Sequence, residues 1–158
     1  MNKQRIRGFE VVESKYIKHE LPIDEIKLPI RGDAGSAGYD FFSNDSVTLN
    51  IGEKYLFWTN IKAYMKQNEL LEIYIRSSLG VKHGLVLANG TGIIDSSYYG
   101  NPSNDGNIGI CMVNRGDAPV IIKRGDRIAQ GIFKQYLIAD QDDILKDSRT
   151  GGFGSSNQ

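Results

Sequence analysis

Ile108-Gly109-Ile110-Cys111-Met112-Val113-Asn114-Arg115-Gly116-Asp117-Ala118-Pro119-Val120-Ile121-Ile122-Lys123-Arg124-Gly125-Asp126-Arg127-Ile128-Ala129-Gln130-Gly131-Ile132-Phe133 holds three apolar runs parted by two turn signals. Each run is too short for a helix, and its Ile and Val suit a pleated, half-buried surface. Asn114-Arg115-Gly116-Asp117 and Arg124-Gly125-Asp126 carry the residue types that reverse a chain. The same rhythm runs upstream, with candidate strands at residues 47–49, 55–61, 70–75 and 85–87 and a turn at Asn50-Ile51-Gly52. Many short strands at regular spacing predict an all-β, jelly-roll-like sandwich or barrel. One short helix is expected over residues 78–83, with Ser77 or Ser78 capping its start and Gly84 its end.

At 158 residues the chain suits a single β domain, expected over residues 1–148. Residues 149–158 are Gly- and Ser-rich without hydrophobic period and read as a flexible C-terminal arm. The leader, residues 1–25, has no assignment. Nineteen basic residues balance nineteen acidic ones, which argues against direct nucleic-acid binding but leaves room for a local anion site. Cys111 is the single cysteine, so there is no internal disulfide and no Cys-based metal spacing. No apolar run is long enough to cross a bilayer and no secretory leader is visible, so a soluble, cytoplasmic protein is expected.

Four segments carry chemistry, each with two readings. Asn89-Gly90-Thr91-Gly92-Ile93-Ile94-Asp95-Ser96-Ser97-Tyr98-Tyr99-Gly100 reads as a β-hairpin with one carboxylate among apolar residues; Asp95 is a turn Asp or a poised base. Arg76-Ser77-Ser78-Leu79-Gly80 is either an ordinary helix cap beside a surface Arg or a cradle for phosphate. Asp40, in Gly38-Tyr39-Asp40-Phe41-Phe42, either satisfies a turn or faces a hydrated divalent cation. Lys123 to Gln130 reads as a turn with a surface Asp126–Arg127 pair, followed by a strand in which Gln130 needs polar partners. His83, at the helix end, is given no catalytic role. In the arm, Phe153 is out of place in a segment that only has to be soluble.

These segments, with Arg149 to Ser156, stand in one order along residues 28–156 and resemble the five motifs of the trimeric dUTP diphosphatase (dUTPase) family. The resemblance implies a Mg2+-dependent hydrolase that splits dUTP into dUMP and pyrophosphate, limiting uracil in DNA and supplying dUMP for dTMP synthesis. It implies Asp95 as the base that activates water for attack at the α-phosphorus. Asn89, Gly92 and Ile94 would hold uracil, largely through backbone groups, and Tyr98 would pack under the deoxyribose and exclude a 2′-hydroxyl. Arg76, Ser77 and Ser78 would bind the phosphates, with Gln130 beside them. Asp40 and Gln130 would reach Mg2+ only through its waters, so no direct protein ligand is expected. Phe153 would stack on the base while Arg149, Ser155 and Ser156 close on the γ-phosphate. The family works as a homotrimer whose sites draw on all three subunits.

The chain departs from the pattern in places. Four steps rather than five separate Arg149 from Phe153, and Asn157 stands where a Gly often follows the two hydroxyls. Pro102-Ser103-Asn104-Asp105-Gly106 reads as an insertion, most simply a bland surface loop, with a protein regulator open but unsupported. One alternative is a dCTP deaminase-like enzyme; it needs a Glu where this chain has Cys111, and such enzymes tend to have Trp where Tyr98 stands. Another is a non-catalytic trimeric binding or regulatory protein, which would be expected to have lost Asp95, Arg76 or the arm.

Overall fold

A computed structural model describes residues 4–142. Arg149, Phe153, Ser155 and Ser156, and with them the expected closing arm, lie outside the described residues. In chain order the strands are β1 (Gly8–Val11), β2 (Ile30–Arg31), β3 (Tyr39–Phe42), β4 (Val47–Leu49), β5 (Lys54–Trp58), β6 (Ile61–Tyr64) and β7 (Glu69–Ile75). After the helix α1 (Ser77–His83) come β8 (Leu85–Leu87), β9 (Gly92–Asp95), β10 (Gly109–Asn114), β11 (Val120–Ile122) and β12 (Arg127–Gln135). The expected jelly-roll-like β fold with one helix is what the chain adopts.

The largest sheet has five strands in the order β2-β3-β12-β7-β9. Its centre follows from strand periodicity: along β7, Glu69, Leu71 and Ile73 are buried while the residues between them are half-exposed. A three-stranded sheet, β5-β10-β8, packs its inner residues against this face, and the pairs β1-β6 and β11-β4 complete the walls. Phe41, Phe57, Leu71, Leu85, Ile108, Met112 and Ile128 form a continuous core. Burying side chains of this size contributes about 1.5–3 kcal/mol each.

The expected strand over residues 55–61 is two strands. It breaks at Asn60, which takes a left-handed conformation (φ 58°). Asn is among the few residue types that tolerate it. The fully buried Asn60 amide bonds both main-chain groups of Lys18, at 2.9 and 3.0 Å, so the break anchors the leader. The helix starts one residue early, at Ser77, with Arg76 as N-cap and no side-chain cap, so neither serine plays the capping role expected. Gly84 does end it, at φ 68°.

The leader folds onto the domain. β1 pairs antiparallel with β6, and the Phe9 ring packs against Tyr39, Phe41 and Phe133 at 5.3–5.6 Å. Arg7 grips the buried Glu69 carboxylate through Nη2 (2.6 Å) and Nε (3.2 Å). Among the described residues no helix is long and apolar enough to cross a membrane.

Candidate active site

Residues 89–100 do not form the expected hairpin within the chain. β8 pairs with β10, whereas β9 crosses to the other sheet and pairs with β7. The reason lies partly at Gly92, opposite Ile73: a Cβ there would stand 2.8 Å from Ile73 Cβ, so only glycine lets β9 lie this close. A cavity of about 560 Å³ opens between the two sheets, walled by Ile73, Leu87, Asn89, Gly92, Ile94, Asp95, Tyr98, Ile110 and Cys111. Asn89 is exposed on the turn and Asp95 is half-buried at the end of β9. The expectation of an acid walled in by apolar neighbours is thus only partly met. Tyr98, in a single 3-10 turn (Ser96–Tyr98), is buried; its hydroxyl donates to the Asn107 carbonyl at 2.8 Å.

A second polar group gathers where β3, β12 and the end of β7 meet. Asp40 and Gln130 are directly opposite in the β3–β12 register, and Gln130 is in turn opposite Tyr74. Asp40 Oδ2 accepts from Arg127 Nη1 at 3.2 Å, and Arg76 Nε lies 3.7 Å from Asp40 Oδ1. Gly38 allows this arrangement, since a Cβ there would meet Gln130 Oε1 at 2.3 Å. Ser77 and Ser78 are exposed on the first turn of α1. Arg76, His83 and Arg127 share a hollow of about 420 Å³.

Arg127 is the residue the sequence misjudged. Expected to pair on the surface with Asp126, it turns to Asp40 instead, while the Asp126 carboxylate accepts the Lys123 N–H at 2.8 Å. Register decides this: Arg127 opens β12 opposite Phe42, two residues from Asp40 on the neighbouring strand. Among the described residues no three His, Cys, Asp or Glu side chains converge on a metal position. The opposed Asp40 and Gln130 side chains supply oxygens of the kind that hard divalent cations take.

The chain does not bring its two polar groups together. Asp95 is opposite Leu70 near the start of β7, and Arg76 follows the last residue of that strand. Six residue steps of about 3.3 Å put them roughly 20 Å apart along the strand.

A dUTPase family model matches residues 24–157. The chain is 45% identical over 153 residues to the deoxyuridine 5'-triphosphate nucleotidohydrolase of Lactococcus lactis subsp. lactis (strain IL1403), covering 96% of this chain and 98% of that one. It is similar to the crystal structure of the Streptococcus mutans dUTPase, with a TM-score of 0.72 and 38% identity over 84% of this chain and 98% of that one. A mutant dUTPase of phage phi11 of S. aureus, described with a coordinated structural Mg(II) ion, shares the fold at TM-score 0.68 and 20% identity, over 89% and 97% of the two chains.

Proposed function

Because the chain belongs to the dUTPase family and hydrolyses dUTP to dUMP and pyrophosphate, we propose a division of that chemistry between its two polar groups. The cavity beside β9 takes the nucleoside; the Asp40–Arg76–Arg127–Gln130 group takes the triphosphate. The observation that carries this reading is that one cavity gathers Asn89, Gly92, Ile94, Asp95 and Tyr98. Backbone groups of the 89–95 segment read uracil, and a donor–acceptor pattern set by backbone rejects cytosine, whose amine reverses one hydrogen bond. The Tyr98 ring sits under the sugar.

Asp95 accepts a proton from a water as its oxygen bonds to the α-phosphorus. The bond from that phosphorus to the bridging oxygen breaks, and pyrophosphate leaves. Ser77 and the Arg76 guanidinium lie where charge builds on the leaving group. Asp40 and Gln130 would hold a Mg2+ ion through its waters. Bound Mg2+ would neutralise part of the triphosphate charge. By the family resemblance, Phe153 is assigned to the base and Arg149, Ser155 and Ser156 to the γ-phosphate. The roughly 20 Å between Asp95 and Arg76 supports a site completed between copies, Asp95 from one and Arg76 from another, in a cytoplasmic homotrimer.

The deaminase alternative fares worse. Cys111 lines the cavity at the position where that chemistry needs a carboxylate, and a thiol does not replace its proton transfer.

The test is pyrophosphate release with dUTP, dCTP, dTTP and UTP, run in 18O-labelled water. Only dUTP should turn over quickly, with the label in dUMP. Equal rates on all four would reject the assignment of base and sugar recognition; label in pyrophosphate would reject attack at the α-phosphorus.

A further inference from the structure

The 102–106 segment is not the bland loop its composition suggests. Asp105 and Gly106 are buried, and Asn101 and Asn107 on either side are 2% and 0% exposed. The Asp105 carboxylate accepts from Lys62 Nζ at 2.8 Å and from the Glu13 main-chain N–H at 2.8 Å, so the loop is tied both to β6 and to the leader. Burial works against the Lys62 ammonium, but the hydrogen bond and charge of Asp105 outweigh it and hold the group above the ordinary lysine value. Tyr16 adds a bond from its hydroxyl to the Pro102 carbonyl at 3.1 Å.

Within this brace Asn104 has one outward contact of note. Its Oδ1 accepts the Gly106 N–H at 3.0 Å, which fixes the amide plane, and its Nδ2 donates to the Tyr98 hydroxyl at 2.7 Å. That hydroxyl already donates to Asn107. Tyr98 is therefore clamped at its far end by a donor and an acceptor from one loop, while its ring walls the cavity. A ring held at its tip cannot tilt away to admit a larger sugar.

We propose that Asn104 is a positioning residue for sugar selectivity: it holds the Tyr98 ring against the deoxyribose and so sets the preference for dUTP over UTP. This rests on the reading of Tyr98 as the sugar-facing ring. The leader and the loop are the scaffold behind that ring.

The test is the ratio of kcat/KM for dUTP to that for UTP in wild type, Asn104→Ala, Tyr98→Phe and the double variant, with melting temperatures alongside. One hydrogen bond is worth about 1 kcal/mol, so the ratio should fall roughly five-fold in Asn104→Ala and at least as far in Tyr98→Phe, which also loses the bond to Asn107. In Asn104→Ala the fall should come from faster UTP turnover and a raised KM for dUTP, with kcat for dUTP little changed. Asn104→Ala also takes the side-chain acceptor from the Gly106 N–H, so a drop of a few degrees in melting temperature is expected, and the ratio is read well below both midpoints. The double variant should lose no more than Tyr98→Phe alone, because removing the hydroxyl already breaks the bond that Asn104 makes. An unchanged ratio in Asn104→Ala, or independent losses that multiply in the double variant, would overturn the proposal while leaving the assignment of Tyr98 intact. A wild-type enzyme that accepts UTP as readily as dUTP would overturn both.

Discussion

At its Ile75 end β7 leads into Arg76, where two guanidinium groups already face the Asp40 carboxylate across the sheet. At its Glu69 end it lies beside Asp95 and a cavity with largely apolar walls, and its own carboxylate is gripped by Arg7 of the leader. One end sets two guanidinium groups on a single carboxylate and so keeps an excess of positive charge near the surface. The other buries the Glu69 carboxylate, held by an Arg7 guanidinium that reaches solvent, and leaves Asp95 as the one acid on the cavity wall among the described residues. Partly exposed ion pairs are worth little to stability, about 0–1 kcal/mol, so under the proposed division the incoming triphosphate displaces those at the Arg76 end at small cost. The Glu69 end is arranged to hold a shape. Specificity for base and sugar needs a fixed wall, and phosphate binding needs charge that can be reassigned.

The largest effect that sharpens this contrast is expected from Asp95→Asn. It keeps the shape of the cavity and removes the proton acceptor. Turnover of dUTP should fall by roughly 10²–10⁴-fold while titration calorimetry finds binding within a few-fold of wild type. Loss of binding with unchanged kcat would make Asp95 a contact rather than a base.

A smaller effect is expected at Glu69, on the neighbouring strand β7. Glu69→Gln removes the charge that Arg7 holds, and a hydrogen bond to a charged group contributes about 1.5–3 kcal/mol. Melting should drop by several degrees at neutral pH. The sign of its pH dependence follows from the hydrogen bond to Arg7, which holds the Glu69 carboxyl below the ordinary glutamate value. The contribution is fully present above the unfolded value of about 4.3 and is lost as pH falls through the lower folded value. Wild type and variant should therefore converge in stability toward strongly acid pH; a gap that persists there would show that Glu69 acts by packing.

The sequence made the sheet strands legible because β7, β8, β10, β11 and β12 have apolar runs flanked on at least one side by Gly, Asn, Asp or Pro. Asp95, Arg76, Asp40 and Gln130 stood out by type and order along the chain, and the fold sets Asp95 on the cavity wall and gathers the other three with Arg127. What was hidden is non-local. β9 reads as half a hairpin, and only its pairing with β7 across Gly92 shows otherwise. Arg127 reads as the neighbour of Asp126, yet the strand register gives it to Asp40. Asn104 and Asp105 read as loop residues, since the partners that bury them, Glu13, Lys62 and Tyr98, are distant in sequence or masked by the turn between. Polar residues in a loop give no local sign of whether they face water or a buried ring.

The most direct measurement of the shared-site account is complementation between two disabled chains, Asp95→Asn and Arg76→Ala, co-assembled and checked by native mass for mixed oligomers. If Asp95 of one copy acts on phosphates held by Arg76 of another, random one-to-one mixing leaves about a quarter of sites with both groups intact, and dUTP hydrolysis returns to a matching fraction of wild type. Mixed oligomers as inactive as either parent would contradict the account, placing both groups of each site in the same chain.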